Sequence, residues 1–147
     1  MNDPLSIVMC LPQGVTLFDP EPSETARRDV RLVSELDSDT GGVVGWSTGG
    51  WDALAIAAAH QDLPRLVIVS LPFPDEPPAE LDADAVNAKT LLLYGAADPQ
   101  TGSSHGSRWQ KTLPNARLEM VPKGGHDLLV PMWRRILSHL APRRTAG

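Results

Sequence analysis

A serine between two glycines is the candidate nucleophile of this chain. The segment Gly45-Trp46-Ser47-Thr48-Gly49 follows a short apolar run and precedes an alanine-rich stretch, 51–60, with the apolar spacing of a helix. A strand that turns directly into a helix strains its turn residue and crowds the positions two residues away on either side. Gly45 and Gly49 remove the side chains that would clash, so the Ser47 hydroxyl is expected to be exposed above the sheet edge. A simple helix-capping serine is the alternative interpretation.

An acid and a histidine follow Ser47 in the order of a nucleophilic triad. Asp98 comes after the apolar run 90–94, and His126 lies in a glycine loop after the run 116–121. The carboxyl ends of parallel strands share one sheet edge, so these side chains are expected to meet there. An imidazole held by a carboxylate activates a serine for acyl transfer. The alternatives are that Asp98 is a turn residue and His126 an ordinary loop histidine, with Asp75 as the rival acid.

Alternating strands and helices must position these residues. The pattern predicts an α/β fold with a mostly parallel sheet of about five strands, flanked by helices, in a single domain over residues 1–147. The predicted strands are 6–11, the apolar run 41–44, 65–71, 90–94 and 116–121. The predicted helices are 23–36, 51–60, 79–88, 104–113 and 132–140.

Composition excludes several classes of partner. The net charge of −5 disfavours nucleic acid, and the arginines at 134–135 and 143–144 are interpreted as helix-end charge and a solvated tail. No apolar run approaches the ~18 residues of a membrane span, so no membrane partner and a cytoplasmic location are expected. No metal-ligand spacing or phosphate-binding loop occurs, so no metal and no cofactor are expected. The single cysteine, Cys10, is interpreted as a small core residue, and His139 as a surface residue.

Three ordered segments resemble one known family. The segments G-W-S-T-G-G, L-L-L-Y-G-A-A-D and V-P-K-G-G-H look like the nucleophile, acid and histidine segments of an α/β-hydrolase. The resemblance implies Ser47 as nucleophile, His126 as general base and Asp98 as the acid that holds the histidine. It also implies an oxyanion hole made by the backbone N–H groups of Thr48 and Val15.

The segment 11–15 stands where the family usually places a His-Gly oxyanion loop. Gln13-Gly14 would serve there through main-chain N–H groups; alternatively the segment is a different strand end and half of the hole is absent. The family usually has eight strands and often a cap. Here the position of the cap holds only the proline-rich stretch 72–78 and one predicted short helix, so the chain resembles a short, capless member.

Two functions are consistent with these features. One is a carboxylesterase-like serine hydrolase that acts without a cofactor on a small-molecule ester, thioester or similar acyl substrate. The other is a non-catalytic binding or regulatory module on a trimmed hydrolase fold. Trp46, Trp51 and Phe73 are the candidates for the substrate pocket, with core packing as the alternative role of the two tryptophans.

A homodimer, or docking onto a larger partner, is also expected from the predicted elements, unless the loop 15–22 and the N-terminal residues fold back over the exposed area. With one helix, 23–36, between the first two strands, part of one sheet face and the edge of the strand 6–11 would be left exposed.

Overall fold

A six-stranded, all-parallel sheet carries the candidate site. The structure, a computed structural model, describes residues 5–76 and 78–142. The spatial order of the strands is β2-β1-β3-β4-β5-β6. The strands are β1 (Ser6–Cys10), β2 (Arg31–Val33), β3 (Thr40–Trp46), β4 (Arg65–Val69), β5 (Lys89–Gly95) and β6 (Ala116–Val121). The helices are α1 (Pro22–Arg27), α2 (Gly50–Ala59), α3 (His105–Thr112) and α4 (Trp133–Leu140).

The central strands are continuous apolar runs because both faces of the sheet are covered. On one face, Val43, Leu66 and Leu92 pack in a cluster with residues of α2 and α3. On the other face, Val67 and Leu91 pack in a second cluster with residues of α4. A parallel sheet covered on both faces produces this kind of sequence. The predicted α/β fold class is confirmed, with six strands in place of about five.

The predicted helix 23–36 is wrong. Helix α1 ends at Arg27, and Asp29 adopts a left-handed backbone conformation with φ of 54° that a helix cannot continue through. The chain then forms the short strand β2, which pairs in parallel with Ser6–Val8 of β1. Strand β1 therefore lies between β2 and β3, and the expectation that its edge is exposed is wrong as well.

The predicted helix 79–88 is also wrong. That stretch contains one 3-10 turn, Ala83–Ala85, and otherwise runs as irregular chain against α2. Short isolated helices are marginal, and burial of Val86 and Ala88 in the α2-side cluster fixes this segment instead. None of the helices in residues 5–76 and 78–142 is long and apolar enough to cross a membrane.

Candidate active site

The turn from β3 into α2 holds Ser47 in a strained conformation. Its φ is 54°, in the left-handed region that non-glycine residues rarely occupy. A Cβ on Gly45 would lie 2.7 Å from the Ala53 Cβ, and a Cβ on Gly49 would overlap the Cys10 carbonyl oxygen. Both positions therefore require glycine, as the motif predicted. Ser47 is only 8% exposed, although the sequence predicted an open hydroxyl, because the His126 ring contacts it.

The structure brings Ser47, His126 and Asp98 into one hydrogen-bonded line. The Ser47 Oγ lies 2.7 Å from His126 Nε2, and His126 Nδ1 lies 2.8 Å from Asp98 Oδ2. Each residue follows the carboxyl end of a different strand, β3, β5 or β6. Asp75, the rival acid, is exposed in the segment after β4, and the carboxylate that meets the histidine is that of Asp98.

The surroundings of Asp98 determine which nitrogen of His126 carries the proton. Burial raises the pKa of Asp98, but hydrogen bonds from the Gln100 N–H, His126 and the Thr101 hydroxyl outweigh it and hold that pKa below its usual value. Asp98 is therefore ionised at neutral pH and can only accept hydrogen bonds. Consequently His126 Nδ1 carries the hydrogen, and its Nε2 lone pair faces the Ser47 hydroxyl.

Backbone contacts between two loops place the acid beside the histidine. The N–H of Ala96 donates to the Val121 carbonyl at 3.0 Å, and the N–H of Ala97 donates to the Gly124 carbonyl at 2.9 Å. A Cβ on Gly95 would overlap the Gly124 carbonyl oxygen, so this close approach depends on glycine. The loops after β5 and β6 are thereby joined just before Asp98 and His126.

Trp46 makes a second contact with His126 from the turn between β3 and α2, which we call the elbow. Its indole Nε1–H donates to the His126 carbonyl at 3.0 Å, and the two ring centroids lie 5.8 Å apart. Sequence reasoning named Trp46 only as a pocket or core candidate and missed this bond, because no local pattern links residues 46 and 126. It also missed Gln100 and Thr101, although a polar residue two or three positions after an aspartate is a recognisable turn signal.

The other pocket candidates belong to an aromatic cluster. Trp51 and Phe73 both meet the edge or face of the buried Trp109, with ring centroids 5.5 Å and 4.7 Å away. Trp51 also lines a cavity of about 490 Å³ between α2 and the segment 78–85. Ser47, Asp98 and His126 are not among the residues that line it. Both side chains also pack against the cluster on the α2 side of the sheet, which is the packing role that the sequence left open for Trp51.

One predicted oxyanion donor is already engaged. The Val15 N–H donates to the Pro12 carbonyl at 3.0 Å across a β-turn, so it is not free to bind an oxyanion. Gly14 has φ of 89° and Gln13 has a negative φ, which identifies a type II turn with Gln13 at its second position. Thr48, the other predicted donor, lies in the first turn after Ser47, where N–H groups lack helical partners.

Two further ionisable residues near the site, Cys10 and Asp127, do not join the hydrogen-bonded line of Ser47, His126 and Asp98. Burial, with a smaller effect of Asp52, raises the pKa of the Cys10 thiol to about 12, so it is not a ready nucleophile. Asp127, next to His126, is exposed. Within the part of the chain that the structure describes, no group of three or more His, Cys, Asp and Glu side chains is arranged to hold a metal.

Sequence similarity connects the second half of the chain to a known family. The family model described as TAP-like protein, an α/β-hydrolase family, matches residues 57–132. The matched range contains Asp98 and His126 and begins after Ser47. No curated protein matches the chain.

Several solved bacterial proteins have a similar fold. An α/β serine hydrolase without a lid from Xanthomonas campestris has a TM-score of 0.66 at 16% identity, over 98% of this chain and 84% of its own. A carboxylesterase from Bacillus subtilis has a TM-score of 0.66 at 13% identity, over 95% and 85%. A candidate dienelactone hydrolase from Klebsiella pneumoniae has a TM-score of 0.59 at 20% identity, over 71% of this chain and 52% of that protein, so this chain spans about half its length. At these identities the similarity establishes the α/β-hydrolase fold.

Proposed function

Because this chain belongs to the TAP-like family of α/β hydrolases, we propose that it is a serine hydrolase of small esters, thioesters or similar acyl compounds. The observation that carries the proposal is the Ser47 Oγ at 2.7 Å from His126 Nε2, with Asp98 on the other ring nitrogen. The carboxylesterase and the lidless serine hydrolase among the similar folds are in keeping with this chemistry.

The proposed reaction begins with proton transfer between two atoms already in contact. As the Ser47 oxygen bonds to the acyl carbon, its proton passes to His126 Nε2, which then donates it to the departing alcohol or thiol. In the second half, water attacks the acyl carbon and passes a proton to His126 Nε2. The bond between the acyl carbon and Ser47 Oγ then breaks, His126 returns its proton to the Ser47 oxygen, and the carboxylic acid leaves. Asp98 remains ionised and stabilises the imidazolium that forms in each half.

The negative oxygen of each tetrahedral intermediate needs two donors. Thr48 supplies one N–H, in the turn that leads into the positive N-terminal end of α2. We assign the second to the Gln13 N–H, because the Pro12–Val15 turn engages the Val15 N–H and not that of Gln13. The start of this loop touches the elbow, where the Gly49 Cα packs against the Cys10 and Leu11 backbone.

Labelling with a fluorophosphonate probe tests the proposal without knowledge of the natural substrate. We expect covalent labelling of the wild type and none of Ser47→Ala, because the probe needs an activated hydroxyl. Hydrolysis of short p-nitrophenyl esters should be abolished by the same substitution. Asp98→Asn should still be severe, on the order of 10⁴-fold in kcat, because an amide in place of the carboxylate favours the wrong histidine tautomer.

Thr48→Ser is the matched control for the elbow, since it keeps the backbone donor and a small hydroxyl beside Ser47. It should retain both labelling and turnover. Absence of labelling in a folded wild-type protein would overturn the hydrolase proposal and favour a non-catalytic module. Equal turnover in Ser47→Ala would remove Ser47 from the reaction.

A further inference from the structure

Basic side chains from three adjacent strands converge at the end of the sheet opposite Ser47. Arg65 and Lys89 are the first residues of β4 and β5, and Arg117 is the second residue of β6. Arg65 pairs in register with Lys89, and Arg117 pairs with Leu91. Residues in register or two apart share a face, so all three side chains project from the same face of the sheet.

Helix α4 covers that face and adds two more basic residues. Arg135 and His139 line a cavity of about 290 Å³ together with the three strand residues. The cavity also presents the neutral polar side chains of Ser138 and Asn115. His139 is buried, contrary to the sequence prediction, and its Nε2 donates to the Lys89 carbonyl at 2.8 Å.

The four arginine and lysine charges are only partly compensated within the described residues. The hydrogen bond from Arg135, with smaller effects of the Arg135 and Arg117 charges, lowers the pKa of Glu119 against the opposing effect of burial. Glu119 is already engaged by Arg135, with Nε at 2.9 Å and Nη2 at 2.5 Å from its two oxygens. Arg65 makes a long bond of 3.4 Å to the His139 carbonyl, and Lys89 and Arg117 form no ion pair with any residue in 5–76 or 78–142. Like charges at adjacent strand positions repel one another. Because the whole chain has a net charge of −5, such a local concentration of cations is unusual and indicates a site that binds an anion.

We propose that this cavity binds a phosphate group carried by a small molecule. Two arginine forks and an ammonium group match the oxygens of a phosphate better than they match a single carboxylate. The volume of about 290 Å³ lies at the lower limit of small-molecule sites, which restricts the ligand to phosphate or diphosphate with at most a small organic group. The seven residues of β5 separate the cavity from the candidate active site by about 20 Å, so the two sites are distinct.

Calorimetric titration with inorganic phosphate, pyrophosphate and glycerol phosphate tests this site at constant ionic strength set with sodium chloride. We expect saturable binding to the wild type, weakened roughly tenfold or more in Lys89→Gln and in Arg117→Gln, because each removes a charged partner. The order of affinity among the three probes distinguishes an inorganic from an organic phosphate. Lys111→Gln, which removes the same charge from the exposed surface of α3, is the matched control and should bind like the wild type.

Melting curves without phosphate separate binding from folding. Lys89→Gln and Arg117→Gln should melt at or above the wild-type temperature, because each relieves repulsion. At a given phosphate concentration, the rise in melting temperature should be clearly smaller in these two variants than in the wild type and the control. The proposal would be overturned if phosphate raised the melting temperature equally in all four proteins or if the wild type did not bind phosphate. Binding of a nucleic-acid duplex in place of the small phosphates would also overturn it. If Lys89→Gln is destabilised, Arg117→Gln on the edge strand decides the outcome.

Discussion

The Gln13 N–H is one of the two donors assigned to the proposed oxyanion hole, and a single substitution can remove it. Gln13 occupies the second position of a type II turn, where proline fits without strain. Gln13→Pro therefore deletes one backbone donor and little else. We expect it to lower kcat by about 10² to 10³-fold, the usual effect of losing one oxyanion donor. Steady-state hydrolysis of a p-nitrophenyl ester measures the effect.

Gln13→Ala is the control for this substitution, because it removes the same side chain and keeps the N–H. It should react like the wild type. Gln13→Pro should also fold at least as well as the wild type, since proline at a compatible position restricts the unfolded chain. Unchanged kcat in a folded Gln13→Pro protein would exclude the Gln13 N–H from the oxyanion hole.

At the scale of elements, one threonine ties the short helix α1 to α4. The Thr25 hydroxyl donates to Asp19 Oδ1 at 2.7 Å and accepts from the buried Trp133 Nε1 at 2.9 Å. Thr25→Val keeps the shape but leaves the Trp133 N–H without a partner in the core. We expect a loss of about 1–3 kcal/mol in the free energy of unfolding, measured by urea denaturation.

Thr112→Val provides the comparison for that loss. The Thr112 hydroxyl donates only to the Arg108 carbonyl of its own helix, at 2.9 Å and in an exposed position. Its replacement should change the free energy of unfolding by less than about 0.5 kcal/mol. Equal effects of the two substitutions would show that the Thr25–Trp133 bond does not stabilise the contact between α1 and α4.

At the scale of the whole molecule, stability should fall in two stages as the pH is lowered. Burial lowers the pKa of His139, and the positive charges of Arg65, Arg135 and Lys89 lower it further. The hydrogen bond to the Lys89 carbonyl has the opposite effect, which is smaller than that of burial. In the unfolded state, His139 therefore binds a proton near pH 6.5, whereas in the folded state it stays neutral until a lower pH. The free energy of unfolding consequently drops as the pH falls through about 6.5. The depressed pKa of Asp98 acts in the same direction, at lower pH. Its contribution is complete above its unfolded pKa of about 4 and is lost as the pH falls through its folded pKa.

Urea unfolding between pH 8 and pH 5, in buffers without phosphate, measures the first stage. His139→Gln retains a side-chain N–H and should remove much of the drop near pH 6.5. His60→Gln, at an exposed position after α2, should leave the drop unchanged. A wild-type free energy of unfolding that stays constant from pH 8 to pH 5 would contradict the role of His139.

The sequence by itself determined the alternation of elements and predicted Ser47 and His126, with Asp98 favoured over Asp75 as the acid. Apolar runs of strand length, flanking glycines at 45 and 49, and the order of serine, aspartate and histidine are local signals that can be read without tertiary contacts. These signals placed Ser47, Asp98 and His126 at one sheet edge. In the structure, Ser47 and Asp98 each lie within hydrogen-bond distance of His126.

Only the tertiary structure decided what depends on contacts between distant segments. The stretch 31–33 has no strong strand signal and becomes β2 because it pairs with β1. The burial of His139, the bond from Trp46 to the His126 carbonyl and the engagement of the Val15 N–H likewise depend on partners elsewhere in the fold. Local propensity amounts to less than about 1 kcal/mol per residue, so pairing and packing override it wherever the two disagree.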